Sequence, residues 1–361
     1  MSNRHVDCSH PALSRRDFMI ATSSVCAGVM LGWVPPARAG SGHEHDWDWL
    51  IGNWDVWHRR LKERLVGSTD WEEFGGKSAL WLSLGGLGTV DDNIVDLPAG
   101  SYRGVTIRAF DPGSQNWSIW WLDGRNPTHI DPPVIGRFTG DSGTFIGRDT
   151  FKGVPIVMRF RWNEIHGKRP WWEQAFSTDD GANWEVNWRN YFTRTSDRAS
   201  PLAQLADAPR DWDFLVGSWK VRHRRLDRRL AGSREWKTFD GTLVNWPILG
   251  GHGNVGDNVM NFPGTLVRGV GFRAFDPATR EWCSWWLDGR TPTSISPALR
   301  GRFENGIGTF VGHEQADGRS VRTRVQWFVT NPDAPRWEQS SSADDGRTWE
   351  THWISEFSRQ A

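Results

Sequence analysis

Histidine and arginine side chains recur two residues apart at two places in the chain. His58 and Arg60 form the first pair, and His223 and Arg225 form the second. Residues two apart share one face of a β-strand, so an inward pair would bring an imidazole and a guanidinium into one interior. A buried guanidinium needs a carboxylate, or an anionic or carbonyl-bearing ligand, beside it. The structural alternative is that Arg60 stacks on Trp54 and closes one end of the fold.

A second polar group follows an aromatic strand at both places. It consists of an aromatic residue, an aspartate and an arginine: Trp121, Asp123 and Arg125 in the first copy, and Trp286, Asp288 and Arg290 in the second. Two interpretations stay open. Either the Asp and Arg side chains pair across a turn, which the Asp-Gly step favours, or they surround a bound polar group as ligand-binding residues.

Adjacent glutamate and glutamine residues occupy a later strand in each copy. They are Glu173 with Gln174, and Glu338 with Gln339. Neighbours on a strand face opposite ways, so only one of each pair enters the interior. If Glu173 and Glu338 face inward, they are candidates for general acid or base catalysis beside the histidines. If Gln174 and Gln339 face inward, they line a ligand site and the glutamates lie on the outer face.

Signatures of cofactor chemistry are absent from the sequence. No glycine pattern for phosphates or dinucleotides stands between a strand and a helix, and neither a His-Glu-x-x-His motif nor a closely spaced Cys pair occurs. We therefore expect no cofactor and no metal. The chain has 43 basic and 43 acidic residues, and this balance predicts no electrostatic footprint for nucleic acid or a membrane surface.

The matching groups belong to an internal repeat. The run that starts Asp46-Trp-Asp-Trp-Leu-Ile-Gly recurs as Asp211-Trp-Asp-Phe-Leu-Val-Gly, and the shift of 165 residues continues without a gap to Arg194 and Arg359. A period this long indicates a duplicated domain and not a solenoid. We predict one domain at 44–195, a linker without aromatic residues at 196–209, and a second domain at 210–360.

Each copy is predicted to be all-β, because short aromatic and β-branched runs alternate with Gly, Asp and Pro. In the first copy we place strands near 54–60, 69–75, 78–84, 101–110, 116–122, 134–139, 143–150, 154–162, 171–177 and 184–193. Asp92 and Asn93 are expected to cap a loop. About ten hairpin-linked strands need a closed sheet to protect their edges, so each copy is expected to form an up-and-down antiparallel β-barrel.

The first 39 residues have the order of an export signal. An arginine pair at 15–16 precedes an uncharged stretch over 20–34 and an Ala-x-Ala ending at Ala39. This order is typical of a twin-arginine signal peptide that is cleaved after Ala39. It predicts a periplasmic protein with no stable membrane insertion after cleavage. Cys283 would then be the remaining cysteine, so no intrachain disulfide is expected.

The start of each predicted barrel resembles that of a known family. Gly52-Asn-Trp54 and Gly217-Ser-Trp219 are similar to the Gly-x-Trp start of calycin or lipocalin-like barrels. The longer Asp-x-Asp-Phe-Leu-x-Gly-x-Trp run, followed by His-Arg-Arg, resembles bacterial lipocalin-like domains of mostly unassigned function. The resemblance implies a cup-shaped cavity that holds a small ligand. Because the chain lacks the disulfides of secreted lipocalins and the proximal-histidine motif of haem-binding relatives, it does not imply which ligand.

Two functions fit these features. The first is an exported binding protein that holds a small organic ligand in Trp-lined barrel cavities, for which the 26 tryptophans supply walls. The second is a cofactor-independent hydrolase, lyase or isomerase acting on an aromatic, terpenoid or glycosidic small molecule, with His58 or His223 working beside a carboxylate. A third hypothesis treats exposed tryptophans as protein-binding hot spots.

Differences between the copies bear on these functions. Gly256 replaces Asp91 and His352 replaces Asn187. The two cavities could therefore prefer different ligands, or one composite site could lie between the domains.

Overall fold

Two closed antiparallel barrels stand in tandem in the computed structural model, which describes residues 42–316 and 319–360. Each barrel has ten strands, in which sequence neighbours pair and the last strand pairs with the first. This confirms the predicted all-β architecture. The predicted signal peptide at 1–39 lies outside the described residues. Within those residues, no helix is long and apolar enough to cross a membrane.

Strand bounds are closely matched between the barrels. Barrel 1 comprises β1 (Gly52–Leu61), β2 (Trp71–Ser83), β3 (Gly88–Leu97), β4 (Gly100–Asp111), β5 (Asn116–Asp123), β6 (Val134–Thr139), β7 (Ser142–Phe151), β8 (Val154–Asn163), β9 (Trp171–Ser177) and β10 (Glu185–Ser196). Barrel 2 comprises β11 (Gly217–Leu226), β12 (Trp236–Ile248), β13 (Gly253–Phe262), β14 (Thr265–Asp276), β15 (Glu281–Asp288), β16 (Leu299–Glu304), β17 (Ile307–Ala316), β18 (Arg319–Phe328), β19 (Arg336–Ser342) and β20 (Glu350–Arg359). Short 3₁₀ helices occupy His43–His45, Asp48–Leu50, Leu84–Gly86, Asp213–Leu215 and Leu249–Gly251.

The structure corrects the predicted strands in one region. The strands predicted at 69–75 and 78–84 are one strand, β2, and the loop predicted around Asp92 and Asn93 is β3. Tertiary partners satisfy the polar residues of β3. Asp91 lies 3.3 Å from Arg108 inside the barrel, and Asp92 accepts a hydrogen bond of 2.8 Å from the Leu249 backbone on the outside. Because both partners are remote in sequence, the local sequence pattern does not predict a strand here.

Aromatic residues close one end of each barrel. Trp47 is 1 % exposed and packs edge-on against three other aromatic rings. Trp54 donates a hydrogen bond of 2.8 Å from Nε1 to the Leu50 carbonyl, and the Arg194 guanidinium lies 4.1 Å from its ring centroid. The arginine that stacks on Trp54 is thus Arg194 and not Arg60. Barrel 2 repeats the arrangement with Trp212, Leu215, Trp219 and Arg359. We call this closed end the base and the opposite end the mouth.

The barrels pack wall to wall through the outer faces of β3–β5 and β13–β15. Their shared apolar core includes Val105, Trp120, Val270 and Trp285. Across it, the Leu249 N–H donates to Asp92, and the Leu84 N–H donates to Asp257 at 3.1 Å. Each of these bonds is the counterpart of the other under the 165-residue shift, so the contact has approximate two-fold symmetry.

Candidate functional site

The histidines of the predicted pairs lie on the inner walls. His58 is 5 % exposed and stacks on Phe74, with ring centroids 4.9 Å apart. Its Nδ1 lies 2.6 Å from Asn190 Oδ1 and 3.2 Å from Trp188 Nε1. Its Nε2 is buried against Gly76, where an added Cβ would come within 2.6 Å. Both ring nitrogens of His58 therefore face protein atoms.

His223 has a matching environment in barrel 2. It stacks on Phe239 at 4.9 Å, and its Nδ1 lies 2.8 Å from Ser355 Oγ and 3.3 Å from Trp353 Nε1. Burial lowers the pKa of both His58 and His223 to about 4. Both imidazoles are therefore neutral at pH 7. They lie within the wall, and this geometry lends no support to a role for them as catalytic bases.

The paired arginines lie nearer the mouth, and here the barrels differ. Arg60 faces Glu72 across β1 and β2, with 2.9 Å between Nε and Oε1. At the matching register of barrel 2, Arg225 faces Lys237. Its guanidinium lies 4.9 Å from the Trp353 ring centroid, and no carboxylate among the described residues forms an ion pair with it. At this register barrel 1 thus supplies a carboxylate to its inward arginine, and barrel 2 has a lysine in that place.

A second inward arginine, near the base, repeats this difference. Arg108 is 2 % exposed and has Asp91 as its ion-pair partner. Arg273 takes the same place in barrel 2, where Gly256 replaces Asp91 and the guanidinium donates instead to Asn254 Oδ1 at 2.8 Å. Burial lowers the pKa of Arg273 to about 9. Neither arginine is among the site residues that the sequence predicts, although the replacement of Asp91 by Gly256 is visible when the two copies are aligned.

Barrel 2 is also more polar where barrel 1 is apolar. Inner-wall residues of barrel 1 are replaced by smaller ones in barrel 2: Ile156, Met158, Phe160 and Phe176 become Val321, Thr323, Val325 and Ser341. Ser341 Oγ lies 2.9 Å from Nε2 of His352, which is 3 % exposed. Glu314 accepts a hydrogen bond from Thr323 and pairs with Arg229, each at 2.6 Å. Burial lowers the pKa of His352 to about 4, and neighbouring arginine charges add to this effect.

These residues define one polar region of barrel 2. We call it the barrel 2 mouth site, and it consists of Arg225, Arg229, Glu314, Ser341, His352 and Trp353. Burial, followed by the positive charges of Arg290 and Arg229, lowers the pKa of Arg225. The site contains two arginines and one carboxylate, Glu314, so its formal charge is positive.

The Asp-Gly-Arg sequences form the same salt bridge at both rims. Arg125 and Arg290 each place Nη2 2.6 Å from Oδ2 of Asp123 and Asp288. The backbone N–H of each arginine also donates to its aspartate, as in a turn. Arg125 further stacks on Tyr102, 3.7 Å from the ring centroid. Because these pairs satisfy each other, the turn interpretation accounts for them, and their role in ligand binding stays a prediction.

Three of the predicted ligand residues have inner-wall contacts. The indoles of Trp121 and Trp286 lie against the glycines at 104 and 269, where an added Cβ would come within 2.2 and 2.1 Å. Gln174 is buried and donates to Asn187 Oδ1 at 2.9 Å. Gln339 lies opposite Trp353 in the sheet, and we assign it no ligand contact.

The two glutamates proposed for catalysis lie on the outer faces instead. Glu173 is 3.6 Å from Arg189, and Glu338 is 2.5 Å from Arg336. Strand alternation places them on the face opposite the inward histidines, since Gln174 and Gln339 take the inner positions. The structure thus separates the residues that the acid–base hypothesis would have combined.

Two cavities lie between the barrels. One of about 510 Å³ is bounded by Tyr102, Arg103, Leu205, Leu249 and His252. Another of about 330 Å³ lies between the loops that follow β5 and β15. The composite site considered above has room in the first cavity. Lys77 and Arg125, which line that cavity, already pair with Asp55 and Asp123. Arg103, which also lines the cavity, donates to the Ala203 carbonyl at 2.8 Å.

No cluster of three or more His, Cys, Asp or Glu side chains able to hold a metal occurs among residues 42–316 and 319–360. The two closed antiparallel barrels fit the calycin-like shape that the sequence predicts. No protein-family model matches the chain, and no curated protein matches it.

Among solved structures, the chain is similar to an S-type phycobiliprotein lyase from Guillardia theta, with 12 % identity and a TM-score of 0.30 over 42 % of this chain and 90 % of the other. A protein of unknown function from Nostoc punctiforme, of the DUF3598 family, is 10 % identical, with a TM-score of 0.25 over 88 % and 99 % of the two chains. A mutant of transferrin binding protein B from Haemophilus parasuis is 6 % identical, with a TM-score of 0.20 over 86 % and 76 %.

Proposed function

We propose that the protein is an exported binding protein for a small organic anion with an aromatic or apolar body, held at the barrel 2 mouth site. One observation carries the proposal. Arg225 faces the interior beside Lys237, whereas its counterpart Arg60 faces Glu72. A partly buried guanidinium is costly without a counter-charge, so an anionic group on a ligand would stabilise it.

The positive charges nearest to Arg225 are Arg229 and Arg290, which already pair with Glu314 and Asp288. Arg229 and Arg290 lie close enough to lower the pKa of Arg225, and Arg273 at the base has lost the carboxylate that accompanies Arg108. Charges interact more strongly inside a protein than in water. An anion at the mouth would therefore pair chiefly with Arg225, the inward mouth arginine that has no ion-pair carboxylate among the described residues.

Aromatic rings supply a surface for the apolar part of the ligand. Phe239 and Phe262 stack with centroids 4.1 Å apart, and Phe262 lies 5.8 Å from Trp353. Trp286 packs against the same cluster. Such walls favour a planar or apolar body, while Ser341 and His352 offer polar contacts deeper in the barrel.

The proposal is tested with 1-anilinonaphthalene-8-sulfonate, an aromatic sulfonate whose fluorescence reports binding. We expect Arg225→Gln to weaken its binding roughly tenfold or more, since a hydrogen bond to a charged group contributes about 1.5–3 kcal/mol. The matched variant Arg60→Gln in barrel 1 should change binding less than twofold. Equal effects of the two variants, or none from Arg225→Gln, would refute the proposed site. Unchanged thermal unfolding of Arg225→Gln excludes dye uptake by a partly unfolded chain.

Export by the twin-arginine route is part of the proposal and rests on the order of residues in 1–39. We expect Arg15→Lys with Arg16→Lys to leave the precursor inside the cell. The unaltered chain should yield a periplasmic form that begins at Gly40, identified by intact mass. A periplasmic product of the same mass and amount from the double variant would contradict this route.

A further inference from the structure

The outer face of barrel 1 carries a row of aromatic side chains that runs across neighbouring strands. Trp57 on β1 pairs with Tyr191 on β10, and Tyr191 pairs with Trp171 on β9. Trp57 is 44 % exposed, and the rings of Trp171 and Tyr191 lie 6.4 Å apart at 30°. Adjacent strands are about 4.8 Å apart, so three neighbouring positions span about 10 Å. The row is one residue wide.

A row of charged side chains lies beside the aromatic row. On β1, β9 and β10 the charged residue is two positions from the aromatic one, so both rows lie on the same outer face. Arg59 pairs with Arg189, Arg189 with Glu173, and Glu173 with Arg161. Glu173 lies 3.6 to 4.0 Å from three arginines, namely Arg159, Arg161 and Arg189. Arg59 has Glu73 at 2.7 Å. Four guanidinium groups thus share two carboxylates, and the face has excess positive charge.

Barrel 2 shows what this face is like without the aromatic row. At the same registers, Arg222 pairs with Asp240 on one side and with Glu356 on the other, and Glu356 pairs with Arg336. Alternating charges of this kind are an ordinary solvated sheet surface. The aromatic row of barrel 1 is therefore not required by the barrel.

We propose that the outer face of barrel 1 binds an acidic glycan, a linear chain of sugar rings that carry carboxylates. The aromatic row offers flat apolar faces to successive sugar rings, and the parallel arginine row offers fork-shaped donors to carboxylates on one side of the chain. A narrow double row matches a linear ligand better than a compact one. The net positive charge of the face complements an acidic chain.

The test replaces two residues of the aromatic row with the residues at the matching positions of barrel 2. Trp57→Arg with Tyr191→Glu installs the cross-strand pair that barrel 2 already has at this register, so the barrel should fold. Affinity electrophoresis through polygalacturonate should retard the unaltered protein, and neutral dextran should not. The double variant should lose at least tenfold in affinity. Binding of 1-anilinonaphthalene-8-sulfonate at barrel 2 should be the same in both proteins.

Three outcomes would overturn the proposal. The first is no retardation of the unaltered protein in polygalacturonate. The second is equal retardation of the double variant. The third is equally tight binding to polyglutamate, because charge alone would then account for the interaction and the partner would be an acidic protein segment. None of these outcomes bears on the anion site in barrel 2, which is measured separately.

Discussion

At the base the two barrels have the same contacts, and toward the mouth they differ. Trp54 and Trp219 each donate a hydrogen bond of 2.8 Å to a backbone carbonyl, and Arg194 and Arg359 each stack on those indoles. In the interior, by contrast, barrel 2 lacks the counterparts of Glu72 and Asp91 and gains His352, Ser341 and Thr323. The two copies thus share the contacts that close the base and differ in the residues that line the interior.

This contrast distinguishes interior residues that pack a barrel from those that we propose to bind a ligand. Barrel 1 pairs its inward Arg60 and Arg108 with Glu72 and Asp91, while its Arg64 stacks on Phe151, 4.8 Å from the ring centroid, without an ion pair among the described residues. Barrel 2 leaves the inward Arg225 and Arg273 without an ion-pair carboxylate among the described residues, and buried charge of this kind is costly unless something else compensates it. The compensation we propose is a bound anion.

The largest expected effect comes from breaking the buried pair of barrel 1. Asp91→Asn leaves Arg108 buried without a counter-charge, and we expect it to lower the free energy of unfolding by about 3–5 kcal/mol in urea titrations. The exposed pair of Lys77 and Asp55 provides the control, since Asp55→Asn should cost no more than about 1 kcal/mol. Equal effects would mean that Asp91 is not the partner Arg108 requires.

A smaller effect should follow when one residue at the mouth of barrel 1 is changed to its barrel 2 counterpart. Glu72→Lys removes the carboxylate from Arg60 and is expected to destabilise the protein by about 2 kcal/mol. The reverse change, Lys237→Glu, supplies Arg225 with a partner but removes the exposed ion pair of Lys237 with Asp227, so it should change stability less than Glu72→Lys does. If both changes destabilise equally, the charge contrast between the mouths does not govern stability.

The pH dependence should distinguish the two interiors through His352. The pKa of His352 is about 4 in the folded protein, whereas the ordinary pKa of an unburied histidine is 6.5. The stability associated with the neutral ring is therefore full above pH 6.5 and is lost as the pH falls toward 4, by at most about 1.4 kcal/mol per pH unit. His352→Asn, the barrel 1 residue, should make this decline shallower in urea titrations between pH 7 and 4.5, and the part due to His58 and His223 should remain. Exposed His166→Asn should leave the decline unchanged, and parallel curves for all three proteins would contradict the assignment.

The smallest effects should come from the rims, where the barrels agree. Asp123→Asn and Asp288→Asn each break a salt bridge of the same geometry and partial exposure. We expect each to cost about 0.5 kcal/mol in thermal unfolding, as other surface ion pairs do. A much larger effect of Asp288→Asn would show that the barrel 2 rim belongs to the mouth site.

The barrel architecture was predictable because hairpin punctuation and strand alternation are local. Strand β3 was missed because Asp91 and Asp92 are satisfied by Arg108 and by the Leu249 backbone, which are distant in sequence. Likewise, Glu72 was missed as the partner of Arg60, because cross-strand register follows from the length of the β1–β2 connection. Alignment of the two copies does reveal the replacements of Glu72 and Asp91, but only the structure shows that both carboxylates face inward arginines.

The most direct test of the central claim counts anion sites by isothermal titration of 1-anilinonaphthalene-8-sulfonate. The unaltered protein should bind one equivalent, Lys237→Glu should bind none, and Glu72→Lys should bind two. One equivalent in all three proteins would contradict the proposal that a missing carboxylate makes the barrel 2 mouth site.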